Sequence, residues 1–386
     1  MDYETQIMLD NAFNSFKELY GTIPTCGAWA PGRVNLIGEH TDYSDGWVMP
    51  IAIDKKIMAL AKFREDRAIR AASLDFPGQR EFVPGEKEKA GNWHDGLVGT
   101  AWLLSEKGDI PGADILFSGN VPIEAGVSSS AAFMVCCAYL LSGLAKIEIT
   151  PKNAALFCRR IEHEFFGVKC GIMDQMASAA GRKGFAMLLD CRTLEIEDIP
   201  LPHNLTLILA HTGIRRSLAG SKYNERSEEV EQASKIIGVS FLRDARLEDL
   251  EKNKTELGDI LYRRAKHVIN ENLRVHAAKE ALVDGDLKTF GMLLNQSHDS
   301  LRSHYEVSCA ELDAMQELWI EHPQVYGARM MGAGFGGCAL VALKPGAYEN
   351  LFEQIADEYQ RRMQRSATII QVKSGEGAAF FDLQIN

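Results

Sequence analysis

The chain has 386 residues, of which 46% are hydrophobic and 25% charged, and a formal net charge of −11. That length points to two domains, and that apolar content to cores that need neither disulfides nor metals. The acidic balance argues against a general nucleic-acid binder, which would carry a basic face, yet leaves room for a nucleotide held locally by backbone amides. Residues 1–20 are acidic and amphipathic rather than basic then apolar, so no signal peptide is expected. The longest apolar run, 131–141, is too short to cross a bilayer. Eight cysteines form no Cys-x-x-Cys pair and lie mostly in apolar runs, which fits a reduced, cytoplasmic setting.

Residues 5–20 have helical spacing. Residues 28–30 read as a short strand entering the run Pro31-Gly-Arg-Val-Asn-Leu-Ile-Gly-Glu-His-Thr-Asp-Tyr43, and 48–63 as strands leaving it. This run gathers an arginine, two carboxylates, a histidine and two glycines. Buried charges are costly unless paired, so it reads either as the wall of a polar site or as a solvated loop.

Residues 93–104 are helix-like and 113–118 a strand. The loop 119–130 that follows, Gly-Asn-Val-Pro-Ile-Glu-Ala-Gly-Val-Ser-Ser-Ser, opens an apolar helix ending near Leu144. Free amides and three hydroxyls at a helix start favour an anion; the plainer alternative is a serine-rich N-cap. The chain contains no Gly-Lys dipeptide and hence no Walker A lysine. A phosphate loop here therefore needs another cation, which points to Mg²⁺ and an arginine. Residues 153–166 continue as a helix. Asp174, in Cys170-Gly-Ile-Met-Asp-Gln175, is either a helix N-cap or a functional base. His163 lacks the second histidine of a zinc site.

Residues 186–200 read as a hairpin. From about residue 203 the texture changes to a strand at 205–210 and charged helices at 221–237, 257–283, 286–299 and 309–320. A glycine loop at 332–337, a strand at 338–343, a helix at 346–364 and a strand at 368–373 follow. The loop Gly332-Ala-Gly-Phe-Gly-Gly337 formally matches Gly-x-Gly-x-x-Gly. A dinucleotide fingerprint opens a helix, however, and the run after this loop suits a buried strand, so a packing turn beside the active site is expected. There is no internal repeat or low-complexity segment. Strands and helices alternate without regular βαβ units, as in a mixed α+β architecture.

The run 31–43 resembles the signature segment of galactokinases, within the GHMP family of small-molecule kinases. With the loops at 119–130 and 332–337 it matches the three GHMP motifs in order. The similarity covers nearly the whole chain through the stretches 170–175, 216–223, 264–272, 305–309 and 334–338. It implies an α+β, two-domain GHMP kinase fold: a ribosomal-S5-like N-terminal domain (1–200), a ferredoxin-like C-terminal domain (201–386), and an active site in the cleft. It also implies transfer of the ATP γ-phosphoryl group to the anomeric hydroxyl of galactose, mostly by positioning and charge stabilisation.

By position in the motifs, Asp174 would accept the proton of the 1-hydroxyl, with Arg33 beside it offsetting negative charge. Glu39, His40, Asp42, the Gly171 backbone and Tyr223 would bind sugar hydroxyls, where a wrong epimer leaves buried groups unpaired. Gly126, Ser128, Ser129, Ser130 and Ala131 would hold ATP. Ser130 and Glu162 would ligate Mg²⁺, and Arg215 would add positive charge near the phosphates.

Three positions depart from the family pattern. Glu124 stands where glycine is usual in the phosphate loop and is expected to point to solvent. Met331 replaces a threonine before the third loop. Gly96 leaves the adenine pocket wider or differently filled. The competing readings are a 1-kinase for N-acetylgalactosamine or galacturonate, and a non-catalytic sugar and ATP sensor. The intact serine loop and Asp174 speak against the sensor. No long exposed apolar stripe stands out, so a monomer is expected.

Overall fold

The computed structural model describes residues 3–122, 126–168, 170–214, 219–346 and 349–383. Its first half contains the strands β1 (Cys26–Asn35), β2 (Trp47–Val48), β3 (Pro50–Phe63), β4 (Ile69–Ser73), β5 (Arg80–Phe82), β6 (Ala113–Gly119), β7 (Phe185–Asp190) and β8 (Ile196–Pro200). The second half adds β9 (Thr206–His211), β10 (Val325–Met330), β11 (Cys338–Leu343), β12 (Thr368–Val372) and β13 (Ala379–Asp382). They form a six-stranded sheet in the order β13-β1-β3-β6-β4-β5, a four-stranded sheet β10-β11-β9-β12 and a small sheet β2-β7-β8. All pairings are antiparallel except β4 with β6. The chain crosses back at its end: β13 pairs with β1, Trp29 opposite Ala379.

Helix α1 (Tyr3–Tyr20) lays Met8, Ala12 and Phe16 on one face of the six-stranded sheet, against Met58, Leu60 and Leu116. The other face is covered by α2 (Asp95–Leu104), α3 (Ser129–Leu144), α4 (Pro151–Arg160) and α5 (Met173–Ala180). Helix α3 is apolar on every side, as a helix enclosed by others must be, and its residues from Ala131 to Ser142 are buried apart from Phe133. In the second half, α6 (Ala219–Ile237), α7 (Leu247–Lys252), α8 (Lys254–Val283) and α9 (Leu287–Ser300) precede α10 (Ala310–Ile320) and α11 (Glu349–Met363). The last two pack Trp319, Ile355 and Tyr359 onto one face of the four-stranded sheet. The opposite face, with Leu207, Leu209 and Leu340, meets α8 and α9.

One hydrophobic core joins the halves. Leu36 and Ile37 of the signature run, and Met49 between β2 and β3, are fully buried against Val275 and Phe290 of the second half. Burying two large aliphatic side chains from a polar loop stabilises by about 1.5–3 kcal/mol each. It also fixes where the flanking charged residues stand.

Several elements differ from the sequence expectations. The first strand does not stop at residue 30 but runs to Asn35, with a register shift between Pro31 and Arg33; such a bulge re-aims the next side chain. The helix expected over 153–166 is α-helical only to Arg160 and continues as a π turn, Ile161–Phe166. Strands β4, β5, β10 and β13 and the short α7 were not anticipated. The loop at 332–337 does lead into a strand, β11, and not a helix.

Candidate active site

The bulge in β1 turns Arg33 inward, where it is 4% exposed. Its Nε and Nη2 donate to Oδ1 of Asp174 at 2.9 and 2.8 Å, and Nη1 donates to the Gly126 carbonyl at 2.6 Å. The other oxygen of Asp174 accepts the Ser128 hydroxyl. Asp174 lies in the first turn of α5, whose N-cap is Ile172, so its carboxylate is not the cap. With 33% of its side chain exposed, it can still be reached by a substrate. Ser128 adopts the left-handed conformation (φ 56°) just before α3, and its hydroxyl goes to Asp174 rather than towards a phosphate position.

The segment after Arg33 descends into the second half of the molecule, where buried polar groups satisfy its backbone. Glu271 accepts the Gly38 N–H at 3.0 Å, His267 donates from Nε2 to the Glu39 carbonyl at 3.1 Å, and Asn272 accepts the Trp47 N–H at 2.8 Å. Arg329, fully buried in β10, donates to the carbonyls of Asn35 and Leu36 and pairs with Glu39 at 3.3 Å. Sequence reading assigned no role to these four residues. Their signal was a set of polar side chains at helical spacing (267, 271, 272) and an arginine within a strand, patterns that also describe solvated faces.

The expected sugar residues come together here. Both oxygens of Glu39 are engaged, by Asn35 Nδ2 at 2.9 Å and by the Gly332 N–H at 2.6 Å, and the residue is 2% exposed. The glycine loop at 332–337 thus packs its backbone against Glu39. His40 is buried, its ring 5.5 Å from that of Tyr223. Asp42 follows Thr41 in a single 3₁₀ turn. A Cβ on Gly171 would lie 1.9 Å from Asp42 Oδ2, so only glycine lets this backbone press against the carboxylate. Burial, then the charges of Asp174 and Glu39, push the Asp42 carboxyl up to about 7 despite Arg33. Burial and the nearby Asp42 likewise hold the Tyr223 phenol well above its usual range.

A cavity of about 390 Å³ adjoins this cluster. Trp93, Phe117 and Phe133 supply apolar walls, and Ser129, Ser130 and Glu162 stand at one end. Ser129 and Ser130 open α3, where unpaired amides and the helix dipole suit a phosphate, while Ala131 is buried one residue further in. The space beside Gly96 is filled by Phe133, whose ring would lie 2.9 Å from a Cβ there. Met331 is fully buried in the core that joins the halves. Glu124 and Arg215 lie outside the described residues.

Glu162 sits in the π turn, a distortion frequent at functional sites. Burial, and then Asp174, push its carboxyl up to about 7. Two carboxylates crowded in this way, with a hydroxyl nearby, are a donor set of hard oxygens that fits Mg²⁺ keeping most of its waters. No cluster of three or more His, Cys, Asp or Glu residues that could hold a metal by themselves occurs among the described residues.

Comparison with known proteins places this arrangement. Residues 96–182 match the GHMP kinases N terminal domain and residues 278–361 the GHMP kinases C terminal family model. The fold is shared with Methanococcus jannaschii mevalonate kinase at a TM-score of 0.63, covering 92% of this chain and all of that one at 18% identity. Fold and site together are those of the GHMP class of small-molecule kinases. Within that class, residues 14–63 match the galactokinase galactose-binding signature. The chain is 38% identical over 369 residues to the galactokinase of Roseiflexus sp. (strain RS-1), covering 94% of each. It also matches the crystal structure of Lactococcus lactis galactokinase complexed with galactose, at a TM-score of 0.90 and 33% identity, over 96% of this chain and 99% of that one. The chain belongs to the galactokinase family.

Proposed function

We propose that Asp174 accepts the proton of the 1-hydroxyl of galactose in the ATP-dependent phosphorylation that gives galactose 1-phosphate and ADP. The 1-oxygen attacks the γ-phosphorus, the bond from that phosphorus to the β–γ bridging oxygen breaks, and its electron pair leaves with ADP. The proton ends on Asp174. The observation that carries this reading is the clamp on that carboxylate: Arg33 on one oxygen and Ser128 on the other, with a third of the side chain still open. A base so held meets its substrate in one geometry, which is where most of the rate of phosphoryl transfer originates. Arg33 also places fixed positive charge where negative charge gathers.

In this reading Asp42, Tyr223 and the Gly171 backbone line the sugar, with Glu39 and His40 deeper in the wall. Nε2 of His40 is buried without a hydrogen-bond partner, a deficit that a sugar hydroxyl would meet. The amides from Gly126 to Ala131 and the hydroxyls of Ser129 and Ser130 receive the phosphates, while the Ser128 hydroxyl stays on Asp174, and the aromatic-walled cavity receives the base. Ser130 and Glu162 would hold Mg²⁺, which when bound neutralises charge on the phosphates. Eight free cysteines, six of them buried, support a reducing, cytoplasmic setting. The test is ADP release with ATP and Mg²⁺ against galactose, glucose, N-acetylgalactosamine and galacturonate. Turnover confined to galactose is expected, and turnover on another sugar alone would move the specificity elsewhere.

A further inference from the structure

Helix α3 is buried along its apolar length except at one position. From Ala131 to Ser142 only Phe133 keeps part of its side chain open, and the space it borders is the aromatic-walled cavity. Phe133 follows Ser129 by four residues and Ser130 by three, so the ring and the two hydroxyls share one face of the helix. The ring therefore stands about one turn, roughly 5.4 Å, further along the wall that begins with the serines.

Three neighbours hold that ring. Its centroid lies 4.8 Å from that of Phe117 in β6, and 6.0 Å from that of Trp93, whose plane is nearly perpendicular at 81°. Gly96 of α2, buried and also bordering the cavity, meets a further edge. A Cβ on Gly96 would lie 2.9 Å from Cδ1 and 3.0 Å from Cε1 of Phe133, closer than carbon atoms pack. Glycine is a poor residue for a helix interior, and the backbone of Gly96 is ordinary helix without a positive φ. Nothing in its own conformation requires glycine; the contact with Phe133 does. With Phe117 and Trp93 already against it, a ring pushed off Gly96 moves into the open cavity.

We propose that Phe133 is a specificity-determining residue for the nucleotide and that Gly96 sets where its ring stands, so that the pair fixes how much of the cavity is left for the base. This rests on the reading of that cavity as the base site. A side chain at position 96 would drive the ring into the empty cavity of the free enzyme, and ATP would have to push it back on binding. The clash then appears in nucleotide affinity, because only the fraction of enzyme with the ring withdrawn can bind. Removing the ring does the reverse and gives space to a base that carries an added group.

The test is steady-state kinetics on both substrates. Gly96→Ala should raise KM for ATP about five- to fiftyfold, with KM for galactose within about twofold of native. Combined with Phe133→Leu, which frees the neighbouring space, the same alanine should change KM for ATP less than about twofold, a non-additivity that a general loss of structure does not produce. Three ATP analogues, with a benzyl group on the exocyclic amine or at either free ring carbon of the purine, read the size of the cavity. For at least one of them, kcat/KM relative to that for ATP should rise about tenfold or more over the native ratio in Phe133→Ala; Phe133→Leu makes the same measurement if the alanine variant does not fold. Equal rises in KM for ATP and galactose, a Gly96→Ala effect as large beside Phe133→Leu as alone, or no gain on any analogue overturns the proposal. Trp93→Leu separates it from the reading it rests on. If Trp93→Leu raises KM for ATP while the Gly96 and Phe133 variants do not, the base site stands and the role of the pair fails. If none of the three moves it, the base lies elsewhere and both fall.

Discussion

Arg33 approaches a single oxygen of Asp174 with two nitrogens, at 2.8 and 2.9 Å, and spends its third on the Gly126 carbonyl. The guanidinium therefore ties the proposed base to the phosphate loop as one rigid unit. A lysine keeps the charge but has no planar fork to serve both partners. Arg33→Lys should lower kcat about 10²–10³-fold, the usual loss for one preorganised charge-stabilising donor. Steady-state kinetics with saturating ATP and galactose check this.

Asp42 makes the ligand-free enzyme pH-sensitive in a direction opposite to most carboxylates. Its carboxyl lies near 7 in the folded chain, against an ordinary value of 3.8. Between those values the folded state holds a proton that the unfolded state has lost, so this group's contribution to stability falls as pH rises from about 4 to 7. Asp42→Asn removes the contribution. The melting temperature of the variant minus that of the native enzyme should grow across that window and level off above it, as calorimetry at several pH values would show.

Gly171 tests how tightly the proposed sugar wall is assembled. A methyl group there would sit 1.9 Å from Asp42 Oδ2. Gly171→Ala should displace the carboxylate and raise KM for galactose more than about tenfold, a loss exceeding about 1.4 kcal/mol of recognition. KM for ATP should change little.

Glu271 has no contact with substrate in this account, yet the loop depends on it. It is fully buried and receives the Gly38 N–H, the Ser297 hydroxyl and Arg274. Burial alone would raise its carboxyl; Arg274, His267 and Arg329 outweigh that and bring it to about 2. Glu271→Gln turns one acceptor into a donor facing donors and leaves Arg274 unpaired, which costs about 3–5 kcal/mol. The urea midpoint should fall accordingly. The native group's contribution is present above about 4.5 and is lost as pH falls towards 2.

Much of the scaffold was legible because burial leaves a period. The apolar run of α3 and the Cys-Ala-Leu-Val-Ala-Leu run of β11 have no soluble alternative to an interior position. Other elements were hidden by the residues that make them useful. Pro31, Gly32 and Arg33 break the alternation of β1, yet the bulge they form is what aims Arg33. Arg329 and Gly327 mask β10, because a charge inside a strand reads as surface until its carbonyl and Glu39 partners are known. Glu271 and His267 look like the wet face of a charged helix; only the tertiary fold shows that the signature loop lies on them. Asp174 was open between cap and base; the start of α5 at Met173 excludes the cap, and its pairing with Arg33 joins residues distant in sequence.

The most direct test of the account is the product formed by Asp174→Asn. With native enzyme, ATP and Mg²⁺, phosphorus NMR should show galactose 1-phosphate appearing together with ADP. The variant should fold and bind galactose, seen as a rise in melting temperature with added sugar. Its turnover should fall by about 10²–10⁴-fold or more, as removal of a positioned base does. Galactose 1-phosphate formed at close to the native rate by Asp174→Asn would contradict the central assignment.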